Sequence, residues 1–519
     1  MKHLPVLLAV LLMASLSAFA AAAASVGKPN IVIILADDLG YGDVQCNNPD
    51  RGKIATPHID KLASQGMRFT DGHSSSGVCT PSRYSLLTGR YHWRTSLQKG
   101  VLGGMSKPLI PPDRLTLAGL VKAHGYDTAC VGKWHLGMTM PTPITEGSIK
   151  DGPTTHGFDY YFGISASLDM PPYAFIENDR FTESPTAKKS LLWIGGKEES
   201  RLGPAAPGFE SEQVLPMFVR KSADWIAARK DKPFLLYLAL NSPHTPVAPT
   251  QEWKGKSGLG DYADFVMQTD AAVGDVLAAL ATAGVADNTL VILTSDNGCA
   301  PYVGTKVSAN PRDSNEGMEA VKDLEKKGHF PSGPLRGYKA DAWEGGHHVP
   351  FIARWPTAVA AGTVCNQLVQ QADLMATIAD ILGDKLPDNA GEDSFSLLPL
   401  LKGNDQPVRP NAVSAAMGGV PSVRQGHWKY IAAPGSGGWG KGGDQSQPVQ
   451  LYNLADDLAE TKNLAAAMPE KVAELKALLE KLITEGRSTP GARQKNDVEV
   501  KRFPAEAAET PKKKAKAGK

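Results

Sequence analysis

The sequence predicts an α/β fold in which a large, mostly parallel, doubly wound sheet carries helices on both faces. Four largely apolar runs, the first of them rich in β-branched residues, alternate with helical patterns, as expected of parallel strands buried on both faces. The runs span residues 30–36, 126–131, 234–240 and 289–295. Each run ends in polar residues, and ligands of such sheets bind beyond the carboxyl ends of the strands. A chain of 519 residues with 42% apolar residues can fill the core that this fold requires.

Helix signals occupy the intervals between the predicted strands. Caps, first-turn prolines and terminal glycines mark the helix ends, and amphipathic spacing marks their lengths. The predicted helices span residues 56–66, 79–89, 115–124, 213–230, 262–283 and 373–382. Residues 140–208 show no sustained period and are rich in proline, glycine and aromatic residues. This composition predicts an insertion of loops that shapes a substrate pocket.

Composition changes along the chain give the domain organisation. The N-terminus has basic residues, an apolar run and an Ala-x-Ala-type cleavage site, which predicts a secretory signal rather than a permanent anchor. We therefore expect a periplasmic or secreted protein without a stable membrane anchor. The predicted signal spans residues 1–24, and a main domain follows at residues 28–402. A small subdomain with an antiparallel sheet and a helix is predicted at residues 411–486, and a disordered basic tail at residues 487–519. A net charge of +1 gives no reason to expect nucleic acid as a partner.

Two strand ends supply oxygen ligands that suit a hard divalent cation. Asp37 and Asp38 follow the first run, and Asp296 and Asn297 follow the fourth. A single aspartate after a strand is usually a cap or a turn residue. Two such groups at equivalent strand ends favour one site for a hard divalent cation, calcium or magnesium, because these ions prefer oxygen ligands.

Basic and titratable side chains follow the other two runs. Lys133 and His135 lie two residues apart, so extended backbone would place both side chains on the same side. The lysine supplies a compact positive charge, and the histidine can exchange a proton near neutral pH. His244 lies between two prolines that restrict its loop, which suits a proton-transfer residue, although a histidine hydrogen-bonded in a turn is an equal alternative.

Cys79 is predicted to lie at the start of a helix. Pro81 marks the first turn of that helix and Gly89 its end. The amides and dipole of a helix N-terminus attract negative charge, so this position would activate a thiolate or hold an oxyanion. A buried structural cysteine is the usual alternative. The chain has five cysteines, and conversion of Cys79 would remove the odd one.

The wider pattern around Cys79 resembles the signature of the type I, formylglycine-dependent sulfatases, which are arylsulfatase-like members of the alkaline phosphatase superfamily. Cys79-x-Pro-x-Arg83 is followed by Leu-Thr-Gly-Arg, and Arg336-Gly-x-Lys339 with Glu344-Gly-Gly resembles a second signature of the same family. The resemblance extends over about residues 30–486. It implies a sulfuric ester hydrolase whose Cys79 is oxidised to formylglycine by a separate maturation enzyme.

The resemblance also implies roles for the candidate residues. The expected calcium ligands, together with the formylglycine at position 79, are Asp37, Asp38, Asp296 and Asn297. Lys133 and Lys339 would contact the sulfate, and His135 would hydrogen-bond the formylglycine. The hydrated aldehyde, a gem-diol, would attack sulfur while Arg83 helps to stabilise the charge. His244 would contact the sulfate and protonate the departing alcohol, and His135 is a plausible base for sulfate release.

One position departs from the family pattern. The family usually has arginine where this chain has His348, before Val349-Pro350. Because that arginine is not among the usual catalytic residues of the family, we expect the difference to alter packing around the site rather than to remove activity.

The expected substrate is a sulfated polysaccharide or oligosaccharide. Tyr173, Asn178 and Arg180 in the insertion offer stacking and hydrogen-bonding groups that suit a sugar, unless they only pack the insertion. The resemblance to exported bacterial polysaccharide sulfatases favours galactose or N-acetylgalactosamine sulfates. The alternatives are a phosphomonoester or phosphonate hydrolase on the same scaffold and a glycan-binding protein without activity.

Overall fold

A computed structural model describes residues 27–191, 201–229, 232–303 and 315–503, without the side chains of residues 315–319. The predicted signal and residues 504–519 of the predicted tail lie outside the described residues. The strands of the described residues are β1 Asn30–Asp37, β2 Met67–His73, β3 Asp127–Lys133, β4 Tyr160–Ile164, β5 Ile176–Glu177, β6 Arg180–Phe181, β7 Ala187–Lys189, β8 Gly203–Ala205, β9 Phe234–Pro243, β10 Thr289–Ser295, β11 Phe351–Arg354, β12 Thr363–Gln370, β13 Ala412–Ala415, β14 Pro421–Gln425, β15 Trp428–Ile431 and β16 Gln450–Asn453.

The helices of the same residues connect and cover these strands. They are α1 Pro57–Ser64, α2 Cys79–Thr88, α3 Leu117–Ala123, α4 Val214–Ala227, α5 Asp261–Thr282, α6 Asn315–Lys326, α7 Glu344–His347, α8 Leu374–Ile381, α9 Leu398–Leu401 and α10 Pro469–Glu485.

The large sheet has the strand order β12-β2-β11-β10-β1-β9-β3-β4-β5-β6. Its centre is parallel, since β1 pairs with β9 and β10, and β3 pairs with β9 and β4. Antiparallel pairs are made by β11 with both neighbours and by the hairpin of β5 and β6. The predicted α/β class with a large, mostly parallel sheet is therefore confirmed.

Helices cover both faces of the sheet because alternate residues of each strand point to opposite faces. Val32 and Ile34 of β1 lie in one core with α1, α4 and α5, whereas Ile33 and Leu35 lie in a second core with α2, α3 and α8. Among the described helices, α5 alone is long and apolar enough to cross a membrane, and half of its apolar window is buried in the fold. The buried Asp270 of α5 accepts backbone hydrogen bonds from the start of α1, as expected of a core helix.

The register of the central strands places the candidate residues at one edge of the sheet. Ala36 of β1 lies opposite Ser295 of β10, so the aspartates that follow these two residues leave the sheet side by side. Lys133 is the last residue of β3 and pairs with Ile164 of β4. The carboxyl ends of parallel strands meet at one edge because the strands run in the same direction.

The C-terminal part forms the small antiparallel sheet with a helix that the sequence predicts. Its strand order is β13-β14-β15-β16. α10 packs against it through Leu475, Leu479 and Leu482, in a core that includes Tyr430 and Leu451.

The prediction of a disordered tail is wrong for residues 487–503, which pack against the fold. Asp497 accepts hydrogen bonds from the buried guanidinium of Arg90, and Val500 is buried. A buried guanidinium needs acceptors from elsewhere in the chain, and a polar composition does not reveal that need.

Several elements were not expected from the sequence. β2 and β12 lie on the less buried side of the sheet, and their polar residues hide the strand pattern. β4 lies within the segment that predicts only loops. α6 lies in a polar loop where no helix is expected.

Candidate active site

Cys79 is the first residue of α2, as predicted, and Gly89 ends the helix in the left-handed conformation with a φ of 62°. The residues before Cys79 are tied to other parts of the chain, because the Gly77 carbonyl accepts from the Ala340 amide at 2.7 Å. Cys79 is buried, and burial raises the pKa of its thiol to about 12 although Lys133 and Lys339 act in the opposite direction. The unmodified thiol therefore stays protonated at neutral pH, and the helix terminus alone does not make it a thiolate.

The carboxylates from β1 and β10 converge on Cys79. Ligand-capable atoms of Asp37, Asp38, Cys79 and His244 all lie within 4.8 Å of one another, and all four residues are buried. Asn297 donates to Asp38 Oδ1 at 2.7 Å, whereas Asp296 is held mainly by Arg83.

Three cationic side chains balance the three carboxylates. Lys133 donates to both oxygens of Asp37 at 2.9 and 2.7 Å, and Lys339 donates to Asp38 Oδ2 at 2.7 Å. Arg83 donates through Nε and Nη2 to Asp296 Oδ2 at 3.0 and 2.7 Å. These six side chains are at most 4% exposed, so their charges interact in a poorly hydrated environment.

The charge pairs decide the protonation of the site. Burial would raise the pKa of Asp37, but the charges of Lys133, His244 and Arg83 outweigh it and lower this pKa to about 2. Burial would lower the pKa of Lys339, but Asp38 holds it well above its ordinary value. Asp37 is therefore ionised and Lys339 is charged at neutral pH.

In each of the two candidate histidines, one ring nitrogen is bonded to a backbone carbonyl and the other can serve the site. His135 Nε2 lies 2.7 Å from the Leu102 carbonyl and must donate to it, so the buried Nδ1 is a lone-pair acceptor without a partner. Burial, reinforced by Lys133 and Arg83, lowers the pKa of His135 well below its ordinary value. His244 Nδ1 donates to the Thr245 carbonyl, which leaves Nε2 facing Asp38 Oδ2 at 3.7 Å.

The donor set fits a hard divalent cation. Asn297 Oδ1 is buried without a hydrogen-bond partner, although its amide nitrogen is satisfied. An orphaned carbonyl oxygen beside several carboxylates is a typical component of a calcium or magnesium site. The residues that the sequence predicts as ligands therefore suit such an ion.

Lys339 is held in place by its neighbour Asp341. The Asp341 carboxylate accepts from the backbone amides of Tyr338 and Gly440 at 3.1 and 2.7 Å. Burial raises the pKa of Asp341 to about 6 even though these amides act to lower it. A glycine-rich loop of the C-terminal subdomain, residues 434–443, is thereby fixed against the loop that carries Lys339.

His348, which replaces the usual arginine of the family, lies outside the catalytic cluster. Its Nδ1 lies 3.0 Å from Glu344 Oε2 and its Nε2 lies 2.8 Å from the Thr70 carbonyl. Both partners are acceptors, so His348 links the start of the short helix α7 to β2.

The three predicted sugar contacts do not gather at the catalytic cluster. Tyr173 is 1% exposed, and its hydroxyl donates to the carbonyls of Asp169 and Arg201, so it packs the insertion. Asn178 lies at the turn of the β5–β6 hairpin, where its Oδ1 accepts from the Tyr161 amide. Arg180 is exposed on that hairpin, at the outer edge of the sheet.

Two groups near the site were missed by the sequence interpretation. Ser165, Ser167 and Asp169 follow β4, and each has a buried side-chain oxygen without a hydrogen-bond partner. The aromatic run Tyr160–Ile164 before a polar segment is the signal that could have revealed them. The second group joins Asp71 and His73 of β2 to Glu344 and His348, and no strand was predicted at β2.

Comparison with known proteins assigns the family. A family model described as Sulfatase matches residues 29–384. An N-acetylgalactosamine-6-O-sulfatase of Bacteroides thetaiotaomicron is 35% identical over 497 residues, which cover 88% of this chain and 93% of that protein. Arylsulfatase A of Homo sapiens is 34% identical and covers 89% of both chains.

Solved structures agree with this assignment. A sulfatase structure from work on the metabolism of multiple glycosaminoglycans by Bacteroides thetaiotaomicron has a TM-score of 0.78 at 34% identity, and the match covers 88% of this chain and 99% of that one. The matched region includes both the parallel sheet and the candidate cluster at its edge. The chain therefore belongs to the sulfatase family and is a sulfuric ester hydrolase.

Proposed function

We propose that this chain is an exported sulfatase that removes sulfate monoesters from sulfated polysaccharides or oligosaccharides, with galactose or N-acetylgalactosamine sulfates as the best candidates. The relative at 35% identity is named for an N-acetylgalactosamine sulfate, which supports this choice. The signal pattern at the N-terminus supports export to the periplasm or beyond the cell.

The observation that carries the proposal is the position of Cys79. It begins α2 inside the cluster with Asp37, Asp38 and His244. Its thiol is protonated because burial raises its pKa, which supports a need for chemical conversion before turnover. A separate maturation enzyme would carry out that conversion.

Two groups would complete the site. Formylglycine at position 79 would supply an oxygen nucleophile, and a calcium ion, or magnesium as the alternative, would supply positive charge to the site. The residues that would hold the ion are Asp37, Asp38, Asp296 and Asn297.

The remaining side chains act on the substrate. Lys133, Lys339 and Arg83 stabilise the negative charge on the sulfuryl oxygens, because all three are buried where charge interactions are strong. His244 Nε2 donates a proton to the departing alcohol. His135 Nδ1, which has no partner among the described residues, would act as the base for sulfate release.

The test begins with the mass of the tryptic peptide that contains Cys79, from protein produced with and without a sulfatase-maturing enzyme. We expect the formylglycine mass only with that enzyme, together with hydrolysis of 4-nitrophenyl sulfate. Cys79→Ser should abolish turnover under both conditions, and undiminished kcat in this unmodified variant would refute the proposed chemistry.

Substrate class is tested on the matured enzyme. We expect kcat/KM for 4-nitrophenyl sulfate to exceed that for 4-nitrophenyl phosphate by more than about 100-fold, and a panel of sugar sulfates should include a better substrate than either. A preference for the phosphate would favour a phosphomonoester hydrolase. N-terminal sequencing of the exported protein tests the signal.

A further inference from the structure

The segment that follows β4 lies beside the catalytic histidine. Because β4 pairs in parallel with β3, Ile164 lies opposite Lys133, and the His135 amide donates to the Ser165 carbonyl at 2.9 Å. Residues 165–169 therefore leave the sheet at the edge where the active site lies. Asp169 ends this segment.

Asp169 is a buried carboxylate that is incompletely satisfied. Its side chain is 9% exposed, its Oδ1 is buried with no hydrogen-bond partner among the described residues, and its Oδ2 lies 3.6 Å from Arg201 Nη2. A buried carboxylate oxygen without a donor is costly, so such an atom in a binding cleft usually receives a donor from a ligand or from water. The hydroxyl groups of a sugar are donors of this kind.

Two aromatic rings lie together near the loop that carries Lys339. Tyr302 and Trp439 are both half-buried, and their ring centroids lie 5.5 Å apart at an angle of 55°. Burial raises the pKa of the Tyr302 hydroxyl, and the charges of Lys339, Asp38 and Asp169 also act on it. Half-buried aromatic rings beside a polar group are a typical platform for the apolar face of a sugar.

The position of Trp439 is fixed through the loop that carries Lys339. Gly440 donates to Asp341 Oδ1 at 2.7 Å, and the Ala342 amide donates to the Ser436 carbonyl at 2.7 Å. The subdomain thus places Trp439 at a defined distance from the lysine expected to bind sulfate.

We propose that Asp169, Tyr302 and Trp439 bind the pyranose ring that carries the sulfate ester. Asp169 accepts hydrogen bonds from free hydroxyl groups of the sugar, and the two aromatic rings cover its apolar face. This inference rests on the proposed sulfatase function and assigns the binding of the substrate's sugar to these three side chains. It replaces Tyr173, Asn178 and Arg180 as the expected sugar contacts.

The experiment compares matured wild type with Asp169→Asn on galactose 6-sulfate or N-acetylgalactosamine 6-sulfate and on 4-nitrophenyl sulfate. The nitrophenyl group has no hydroxyl to donate, so Asp169 can assist only the sugar ester. We expect Asp169→Asn to lower kcat/KM for the sugar sulfate by about 10–100-fold, mainly through KM, because hydrogen bonds to a charged group are lost. The value for 4-nitrophenyl sulfate should change less than about 3-fold. Arg180→Ala is the control, since Arg180 is one of the sugar contacts expected from the sequence, and it should leave kcat/KM for both esters unchanged.

A variant of Trp439 tests the aromatic part of the proposal independently of Asp169. Trp439→Ala should raise KM for the sugar sulfate about 10-fold with kcat within about 3-fold, whereas Trp439→Phe should retain most of the affinity because it keeps an aromatic face. Trp428→Ala, in the same subdomain but on the small sheet, is the matched control.

An equal loss on both esters in Asp169→Asn, or an unchanged KM in Trp439→Ala, would overturn the inference. Absence of hydrolysis of every sulfate ester by matured wild type would instead refute the proposed function. Thermal unfolding of each variant separates a loss of folding from a loss of sugar binding.

Discussion

At the scale of single residues, the side-chain oxygen of Asn297 allows a prediction about the affinity of the protein for a metal ion. Its Oδ1 is a buried acceptor without a donor, beside Asp38. We expect Asn297→Ala to raise the calcium concentration that half-saturates the protein by about 10–100-fold, as is typical when a metal site loses a supporting group. The measurement is the shift of the unfolding temperature during calcium titration after chelator treatment.

The control for this variant is Asn404→Ala, which changes an asparagine on an exposed loop. Its calcium titration should match that of wild type. A wild-type titration for Asn297→Ala would exclude this oxygen from the cation site.

The role of His244 as a general acid can be tested with two esters that differ in their leaving group. Its Nδ1 is occupied by the Thr245 carbonyl, so Nε2 is the nitrogen that can serve the substrate. We expect His244→Ala to lower kcat about 10²–10⁴-fold on a sugar sulfate, whose alcohol must be protonated as it leaves. The loss on 4-nitrophenyl sulfate should be smaller, because nitrophenolate departs without a proton.

Steady-state kinetics on both esters checks this prediction. His124→Ala, on the surface beside Asp384, is the matched control and should keep wild-type kcat on both. Equal losses on the two esters would contradict a role for His244 as general acid.

At the scale of elements, Gly132 shows why β3 can deliver Lys133 and His135 to the edge of the sheet. Its φ is 118°, and a Cβ atom at this position would lie 1.8 Å from the Ala239 carbonyl oxygen of β9. Alanine here would force β3 and β9 apart, beyond the cost of the backbone conformation itself.

The matched comparison is Gly125→Ala, since Gly125 also has a positive φ but nothing lies within 4 Å of its added Cβ. We expect Gly125→Ala to cost about 1 kcal/mol and Gly132→Ala to cost at least about 3 kcal/mol. Urea unfolding measures both values. Similar costs would show that backbone conformation, rather than the contact with β9, determines the use of glycine.

The sequence predicts strands that are buried on both faces better than strands that are partly exposed. β10 is predicted at its observed bounds because a strand buried on both faces must be apolar throughout. β2 and β12 form the exposed side of the sheet, where the pairing partner rather than the composition defines the strand. The short hairpin of β5 and β6 likewise depends on a partner, β4, that lies earlier in the chain.

At the scale of the whole molecule, a buried charge network joins the C-terminal subdomain to the main domain. Lys429 of β15 lies 2.8 Å from Glu344 and 2.9 Å from Glu460, and Glu460 Oε2 accepts from the Glu344 amide at 2.6 Å. Glu344 begins the short helix that follows the Lys339 loop. The subdomain therefore holds this part of the site through charges that are removed from water.

This network predicts a pH dependence of stability. Burial raises the pKa of Glu460 from 4.5 to about 7, although Lys429 acts to lower it. The folded protein therefore retains a proton that the unfolded chain has lost, so stability should fall as pH rises from about 4.5 to 7. The upper limit of this loss is about 3 kcal/mol.

Glu460→Gln cannot ionise and should lack this component. We expect its free energy of unfolding, relative to wild type, to increase between pH 5 and pH 8 in urea titrations. Glu470→Gln, on the exposed surface of α10, is the control and should follow wild type at both pH values. A constant difference between Glu460→Gln and wild type would show that Glu460 does not titrate in this range.

The sequence by itself determined the parallel sheet, the polar residues at its strand ends and the pattern around Cys79. These features are local, because a buried strand must be apolar along its length and a motif places its residues at fixed spacing. Asp37, Asp38, Cys79 and His244, whose ligand atoms the fold brings together, could therefore be selected from strand ends and motifs.

Only the tertiary structure decided which distant residues share one environment. Tyr302 and Trp439 meet although they lie far apart in the chain, and the protonation of Cys79 and Glu460 depends on burial by several segments. Residues 487–503 pack against the fold through contacts that include the hydrogen bonds from Arg90 to Asp497. Burial and non-local pairing depend on how the segments are brought together, and this arrangement cannot be read from one stretch of sequence.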